Sequence, residues 1–215
     1  MFVRQNQQQF RNSNADVQIF YGDTNTNPIT QRTWSKPPGV SHIYMMLIGP
    51  GGNGDGSATG GASGAVTVWY GAAQNVPDSL IAIVGGGDGQ TSTVSARFRN
   101  SALVPTALLT ANGASTTVAG TSMTANQFTA SGFFQSVSGQ GGGFSSASTT
   151  TFLSCGENPA ANYGYSLSSS PAFGFFMLQP IIVGIGGIGS GKGGIGCGGG
   201  FGSSGGPGMV LIASW

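Results

Sequence analysis

Residues 181–194 read IIVGIGGIGSGKGG, and Gly186-x-x-x-x-Gly191-Lys192 within them is most of a phosphate-cradling loop. Such a loop needs Ser or Thr after the lysine to hold magnesium. It also needs a following helix whose amide dipole faces the phosphates. Gly193 follows the lysine here, and the sequel Gly-Gly-Ile-Gly-Cys-Gly-Gly-Gly is a very poor helix former. No acidic residue follows Glu157, so no downstream carboxylate can hold a metal ion. Gly184-x-Gly186-x-x-Gly189 matches a dinucleotide fingerprint and fails on the same missing helix. The expectation is no nucleotide and no other cofactor.

Gly202-x-Ser204-x-Gly206 has the spacing of a nucleophile elbow, which requires a strand before, a helix after and a histidine base. The only histidine, His42, lies far earlier inside an apolar run, where a core or edge side chain is the simpler reading. Six carboxylates and one histidine leave few acid–base pairs, and no enzyme is expected. Asp55, Asp78 and Asp88 sit in turn-like stretches, where Asp is a routine turn former. They carry oxygens suited to calcium, but no Asp-x-Asp spacing supports a site. Cys155 and Cys197 are too few for a zinc site with one distant histidine. They either pair or remain two small buried hydrophobes, and unpaired thiols are the reading taken here.

Binding chemistry has two sets of candidates. Arg4, Arg11, Arg32 and Lys36 concentrate four of the seven cations in the first 36 residues. They are candidates for anchoring to a negatively charged neighbour, against the simpler reading of a solvated arm. Tyr163 and Tyr165, in Asn-Tyr-Gly-Tyr, are candidates for contact with a receptor or a glycan. Trp34, Trp69, Tyr70 and Trp215 flank apolar runs and read as core or interface fillers.

The elements that would hold these residues are strands. His42–Ile48 (HIYMMLI) is nearly continuous apolar sequence, as in a strand buried on both faces. Ala65–Tyr70 (AVTVWY), Leu80–Val84 (LIAIV), Thr91–Phe98 (TSTVSARF) and Met209–Ala213 (MVLIA) follow, with glycine-rich turns between them. Val17–Tyr21 is a further short strand inside an otherwise polar stretch. Ala107–Ala111, Thr116–Val118, Gln127–Ala130 and Phe133–Ser138 are short-strand candidates in a Ser/Thr/Asn-rich region. Phe175–Leu178 and Ile181–Ile185 resume apolar sequence. No helical periodicity persists beyond two turns. The expected fold is all-β: a jelly-roll-like β-sandwich with long Gly-rich loops and almost no helix. Residues 1–33 are read as a polar N-terminal arm, and 34–215 as the sandwich domain with an insertion at about 99–180.

Composition agrees. Forty of 215 residues are Gly and ten are Pro, while only 6% are charged. That excludes helical bundles, and the clustering of the glycines excludes collagen. Hydrophobic residues at 39% provide for a core, unlike a typical disordered chain. A net charge of +1 makes no electrostatic footprint for nucleic acid. The most apolar segment, Phe173 to Ile188, is broken by Gln179, Pro180 and glycines, so no membrane span is expected. Met1 leads into a Gln-rich stretch, and no export leader is expected. Each glycine gives up more backbone entropy on folding than other residues do. At this density glycine implies close backbone approach or positive φ.

From Thr33 onward the chain resembles the glycine-rich domains of bacteriophage tail fibres and related virion proteins. TWSKPPGVSHIYMML is similar to their opening, followed by the Gly-rich loop GPGGNGDGSATGGASGA and the aromatic strand VTVWY. IAIVGGGDGQ, TSTVSA and GGPGMVLIASW complete six pieces in order, over residues 33–98 and 181–215. The resemblance implies a non-enzymatic virion component, made in the host cytoplasm. It would act through interfaces with other virion proteins, and host attachment through a surface glycan or receptor is a further role. It implies a homo-oligomer, a trimer by analogy, and transfers no functional residues. Residues 1–33 are too short for a shaft, so a stand-alone tip, head fibre or capsid-surface subunit is expected. The alternatives are a jelly-roll capsid subunit forming the shell, and a secreted glycan-binding adhesin.

Overall fold

The computed structural model describes residues 15–23, 30–55, 60–87, 89–96, 106–142 and 191–215. Nine strands form where β-branched, aromatic and long apolar residues run together: β1 (Asp16–Tyr21), β2 (Thr30–Ser35), β3 (His42–Ile48), β4 (Val66–Ala72), β5 (Ser79–Val84), β6 (Thr91–Ala96), β7 (Ala107–Asn112), β8 (Gly132–Val137) and β9 (Met209–Ser214). Among the described residues the only helical pieces are two three-residue 3-10 turns, Ala73–Asn75 and Thr129–Ser131. One sheet has the order β1-β9-β3-β4-β8 and the other β2-β5-β6-β7. Every pairing is antiparallel. The molecule is an all-β sandwich, as its sequence leads one to expect.

The strands extend into regions read from the sequence as arm and insertion. β1 and most of β2 lie within residues 1–33, and they are edge strands of the two sheets. β2 runs through the expected boundary at residue 33. Their polarity reflects edge position: β1 packs Phe20 against the inter-sheet core and leaves its other face exposed. β7 and β8 come from the stretch read as an insertion, and close the opposite edges. Thr116–Val118 forms bends and Gln127–Ala130 a turn running into 3-10 helix. Phe175–Leu178 and Ile181–Ile185 lie outside the described residues.

The inter-sheet core joins Trp34, Leu80, Ala82, Val84, Val94 and Leu109 to Ile43, Met45, Leu47, Trp69, Val210 and Ile212. Burying each large side chain contributes about 1.5–3 kcal/mol. Trp69 fits because Gly71 and Gly132 face each other across β4 and β8. A Cβ on Gly71 would stand 2.6 Å from the indole, and one on Gly132 would stand 2.8 Å from it. Phe128 stacks on the same indole at 4.7 Å between centroids. The Thr67 hydroxyl donates to the Thr110 carbonyl at 2.6 Å, tying the two sheets together. A second cluster, on the outer face of the five-stranded sheet, contains Tyr44, Met46, Ile48, Val66, Val68, Met209 and Leu211, with Cys197 and Ile195 against it. Cys197 is buried, its sulfur 3.5 Å from the Ile195 carbonyl oxygen; Cys155 lies outside the described residues.

The glycine segments at one end of the sandwich form a lattice of their own. The amides of Gly49 and Gly52 donate to Ala65 and Ala62, and those of Gly51 and Gly54 to Gly206 and Ser203. Gly61 and Gly64 donate to Gly199 and Gly196, and Ala62 and Ala65 to Ser115 and Asn112. Each pair of donors is three residues apart. A β-ladder uses a period of two. Three residues per turn is the repeat of the extended polyproline-II helix, which makes no internal hydrogen bonds and leaves its amides for neighbours. Only Gly39, Gly89, Gly196 and Gly202 take positive φ among the described residues. Close approach is the dominant reason for glycine here: a Cβ on Gly51, Gly54 or Gly61 would overlap the carbonyl oxygen of Cys197, Gly200 or Gly52. These approaches join segments of one chain.

Candidate functional site

The opposite end of the sandwich carries exposed aromatic and polar groups. His42 opens β3, and Trp215 follows the end of β9. The two exchange backbone hydrogen bonds, His42 N to Trp215 O at 3.0 Å and Trp215 N to His42 O at 3.1 Å. Tyr70 of β4 lies opposite Tyr44, next along β3 on the same face, and Phe133 of β8 lies opposite Tyr70. β-pairing therefore gathers five aromatic rings, Tyr44 included, from distant parts of the chain onto the outer face of the five-stranded sheet.

Three of these rings form a stacked cluster. Ring centroids are 5.7 Å apart for His42–Tyr70, 6.2 Å for His42–Trp215 and 5.8 Å for Tyr70–Trp215, with planes within 13–20°. A column of three rings would put its outer members about 7 Å apart, twice a carbon contact distance. The nearly equilateral triangle excludes such a column, so at least two rings lie side by side. All three are part-exposed, and Phe133 beside them is 40% exposed. The Ser41 hydroxyl donates to the Trp215 carbonyl at 3.1 Å and lies 3.0 Å from His42 Nδ1. The Trp215 carbonyl also accepts from the Ser41 and His42 amides, and the Ser41–Nδ1 contact runs in either direction with the tautomer of the ring. Beneath, burial pushes the Tyr44 phenol up to about 12.

At the same end, Asn75, Thr106, Ala107, Leu108, Asn126, Gln127, Phe128 and Ser131 line an open cleft of about 430 Å³. Asn126 and Asn75 are held by bonds to the Leu108 and Ser131 carbonyls. Ala107, Leu108 and Phe128 give the cleft apolar surface and the other lining residues give it amides and hydroxyls; among the described residues no charged side chain lines it.

The residues singled out from sequence fall as follows. Lys36 is a structural fastener: its ammonium donates to the Ala73 and Val76 carbonyls at 3.2 and 2.8 Å and pairs with Asp78 at 2.8 Å. Three partners occupy its three hydrogens. Arg32 is exposed on β2, with its guanidinium on the neighbouring Gln31 carbonyl. Arg4, Arg11, Tyr163, Tyr165 and Asp88 lie outside the described residues. Around Lys192 the amides of Gly193, Gly196, Cys197 and Gly200 donate to Ser204, Pro207, Gly194 and Gly191. Residues 184–190, most of the phosphate-loop match, lie outside the described residues. Ser204 sits in the glycine lattice and His42 at the far end of β3, a strand about 20 Å long. Asp55 accepts from the Gly202 amide through its backbone carbonyl. No cluster of three metal-ligating side chains occurs among the described residues, and no described helix is long and apolar enough to cross a membrane.

The stacked aromatic cluster escaped sequence reading because its members stand at positions 42, 70 and 215. Each is a strand-end aromatic, and only the sheet register joins them. No protein-family model matches the chain, and no curated protein matches it.

Proposed function

We propose that the chain is a non-enzymatic structural protein of a phage or other virus particle, acting through interfaces with other virion proteins and contributing to host attachment. One observation carries the reading. β1 is a sheet-edge strand whose outer face presents Val17, Ile19 and Tyr21 at 46%, 43% and 51% exposure. Natural proteins blunt sheet edges with charge, proline or a covering element, and an exposed apolar edge marks an association surface. Asp16 is the only charge on this strand. The resemblance to virion glycine-rich domains agrees, since its pieces fall on β2 to β6 and β9 of this one sandwich. The glycine lattice supplies a rigid end with few charges. Self-association through β1 is part of the reading.

The test is the composition of purified particles, by mass spectrometry and by density assigned to this sandwich. Fixed copy number per particle is the expected result. Recovery of the chain only in the particle-free fraction of a lysate would overturn the reading.

A further inference from the structure

We propose that β1 pairs with the β1 of a second copy of this chain, antiparallel and about a two-fold axis at Ile19, joining two five-stranded sheets edge to edge. The proposal rests on the self-association in the proposed function and names its partner, direction and register. Hydrogen bonding fixes which residues of β1 face the free edge. The Gly22 amide donates to the Gly208 carbonyl, one step beyond the Tyr21–Met209 pair. Backbone groups alternate sides along a strand, so Phe20, Gln18 and Asp16 also bond toward β9. Val17, Ile19 and Tyr21 therefore direct their amides and carbonyls away from the sheet, where no described residue bonds them. The same three residues carry the exposed apolar side chains of the outer face.

A second β1 matches this edge. Free backbone groups must meet free backbone groups, so Val17, Ile19 and Tyr21 face the same three residues of the copy. Centring the pair on Ile19 sets Ile19 against Ile19 and Val17 against Tyr21 twice, and uses every free amide and carbonyl of those residues. A shift of one pair either way carries Tyr21 or Val17 past the end of the opposing strand. Ile–Ile and Val–Tyr are types that stabilise across antiparallel strands. Asp16, the only charge on the strand, falls opposite Gly22 and not another Asp16, so no like charges meet. The pairing consumes both β1 edges and closes at two copies. Two other sheet edges are guarded in ways natural proteins use. On β7, Asn126 donates to the Leu108 carbonyl and the Thr110 amide donates to the Met123 sulfur. On β2, Arg32 brings a charge and its guanidinium takes the Gln31 carbonyl.

Light scattering reads the mass and disulfide trapping reads the register. The parent chain is expected to reach twice its monomer mass with a dissociation constant on the order of 10–100 μM, because one strand pair buries less than the ~1,600 Å² of a standard interface. Opposed residues of a hydrogen-bonded pair have Cα atoms about 5.5 Å apart, within disulfide range. Position 17 and its own copy would stand more than about 13 Å apart, out of range, and so would position 21 and its copy. The full chain is prepared with Ile19→Cys, Val17→Cys or Tyr21→Cys, each with Cys155→Ser so that buried Cys197 is the one native cysteine left. Folded Ile19→Cys is expected to oxidise to a covalent dimer with at least about tenfold the yield of either other variant. Mixing the Val17→Cys and Tyr21→Cys chains should restore trapping, since each faces the other in this register. In urea the three variants should oxidise alike.

A monomer at about 1 mM, ten times the weakest affinity expected, overturns the proposal. A trimer overturns it too, because this pairing closes at two. So does a dimer that Val17→Cys or Tyr21→Cys alone traps as well as Ile19→Cys, which sets another register, or one that none of the variants traps, which places the contact elsewhere. All readouts use the purified chain alone. Failure here leaves incorporation into particles to its own test, and recovery of the chain only outside particles leaves the dimer measurement valid.

Discussion

Gly51 and Gly206 meet backbone to backbone, the Gly51 amide donating to the Gly206 carbonyl at 2.9 Å. A methyl group on Gly51 would overlap the Cys197 carbonyl, and one on Gly206 the Gly194 carbonyl. Gly51 leaves β3 and Gly206 leads into β9, which are neighbours in the sheet. The lattice therefore continues the sandwich past the point where side chains end. β3, β4 and β9 remain in register beyond their last β-pair because the amides keep finding partners at a new period. An unpaired buried amide would cost about 1–3 kcal/mol, so the two periods must join without a gap. The Gly49 amide on the Ala65 carbonyl, one residue past the Ile48–Val66 pair, is that join.

Gly51→Ala is expected to destabilise the fold by about 1–3 kcal/mol, with a larger loss if the lattice cannot shift. Gly87 is the control: a Cβ there meets nothing within 4 Å, and its φ is not positive. Gly87→Ala is expected to be neutral or to stabilise by up to about 1 kcal/mol through the unfolded state. Thermal melts of both variants decide the matter. Equal melting temperatures would mean that the glycines are retained for some reason other than contact.

The strands were legible because the apolar runs are long and β-branched. HIYMMLI is β3 residue for residue, and LIAIV lacks only the first residue of β5. The edge strands were harder to read. β2 (TQRTWS) carries one buried large side chain, Trp34, and its other residues look like loop. The lattice was hidden for another reason. Glycine spaced by three, as at 49 and 52, 51 and 54, or 61 and 64, is buried in a background of still more glycine. The partners of four of these six, within 196–206, are distant in sequence. Composition predicts close backbone approach but cannot say which backbones meet. The stacked rings required the β3–β9 register, which aligns Trp215 with His42.

Lys36 and Asp78 form an ion pair whose two ends are unequal. The lysine side chain is 18% exposed and caps two turn carbonyls, whereas the aspartate is 93% exposed. Lys36→Met, which keeps the alkyl stem, is expected to destabilise by about 1–3 kcal/mol because the Val76 carbonyl loses the ammonium and the Ala73 carbonyl keeps only the Val76 amide. Asp78→Asn is expected to cost less than about 1 kcal/mol, as surface pairs do. Urea titrations of the two variants at low and high salt measure the contrast. A larger loss for Asp78→Asn would show that charge, not carbonyl capping, fastens the turn.

Tyr44 makes stability fall at high pH. Its phenol ionises near 10 in the unfolded chain, and burial pushes it up to about 12 in the fold. Between those values the unfolded state releases a proton that the folded state keeps, so rising pH favours unfolding. The contribution is intact below pH 10 and is lost as pH climbs through about 12. Two pH units correspond to at most about 3 kcal/mol. Tyr44→Phe is expected to show a shallower alkaline decline in stability than the parent, with the other tyrosines common to both. Identical decline in the two proteins would remove Tyr44 as the cause.

Ile19 separates the role of β1 in folding from its role in association. Its side chain is 43% exposed on the outer face, while Phe20 on the inner face packs against the core. Ile19→Lys places a charge on an exposed sheet edge, a common natural device against edge pairing. Because the side chain is only partly covered, stability should change by no more than about 1 kcal/mol. Association should fail, with sedimentation velocity shifting toward the monomer and incorporation into particles dropping sharply. Phe20→Ala should do the reverse, lowering stability by about 3 kcal/mol or less for a part-buried aromatic while leaving the association surface intact. The pair of variants distinguishes an interface on this edge from a strand that serves the fold alone. If Ile19→Lys assembles like the parent, the edge is not where neighbouring subunits meet.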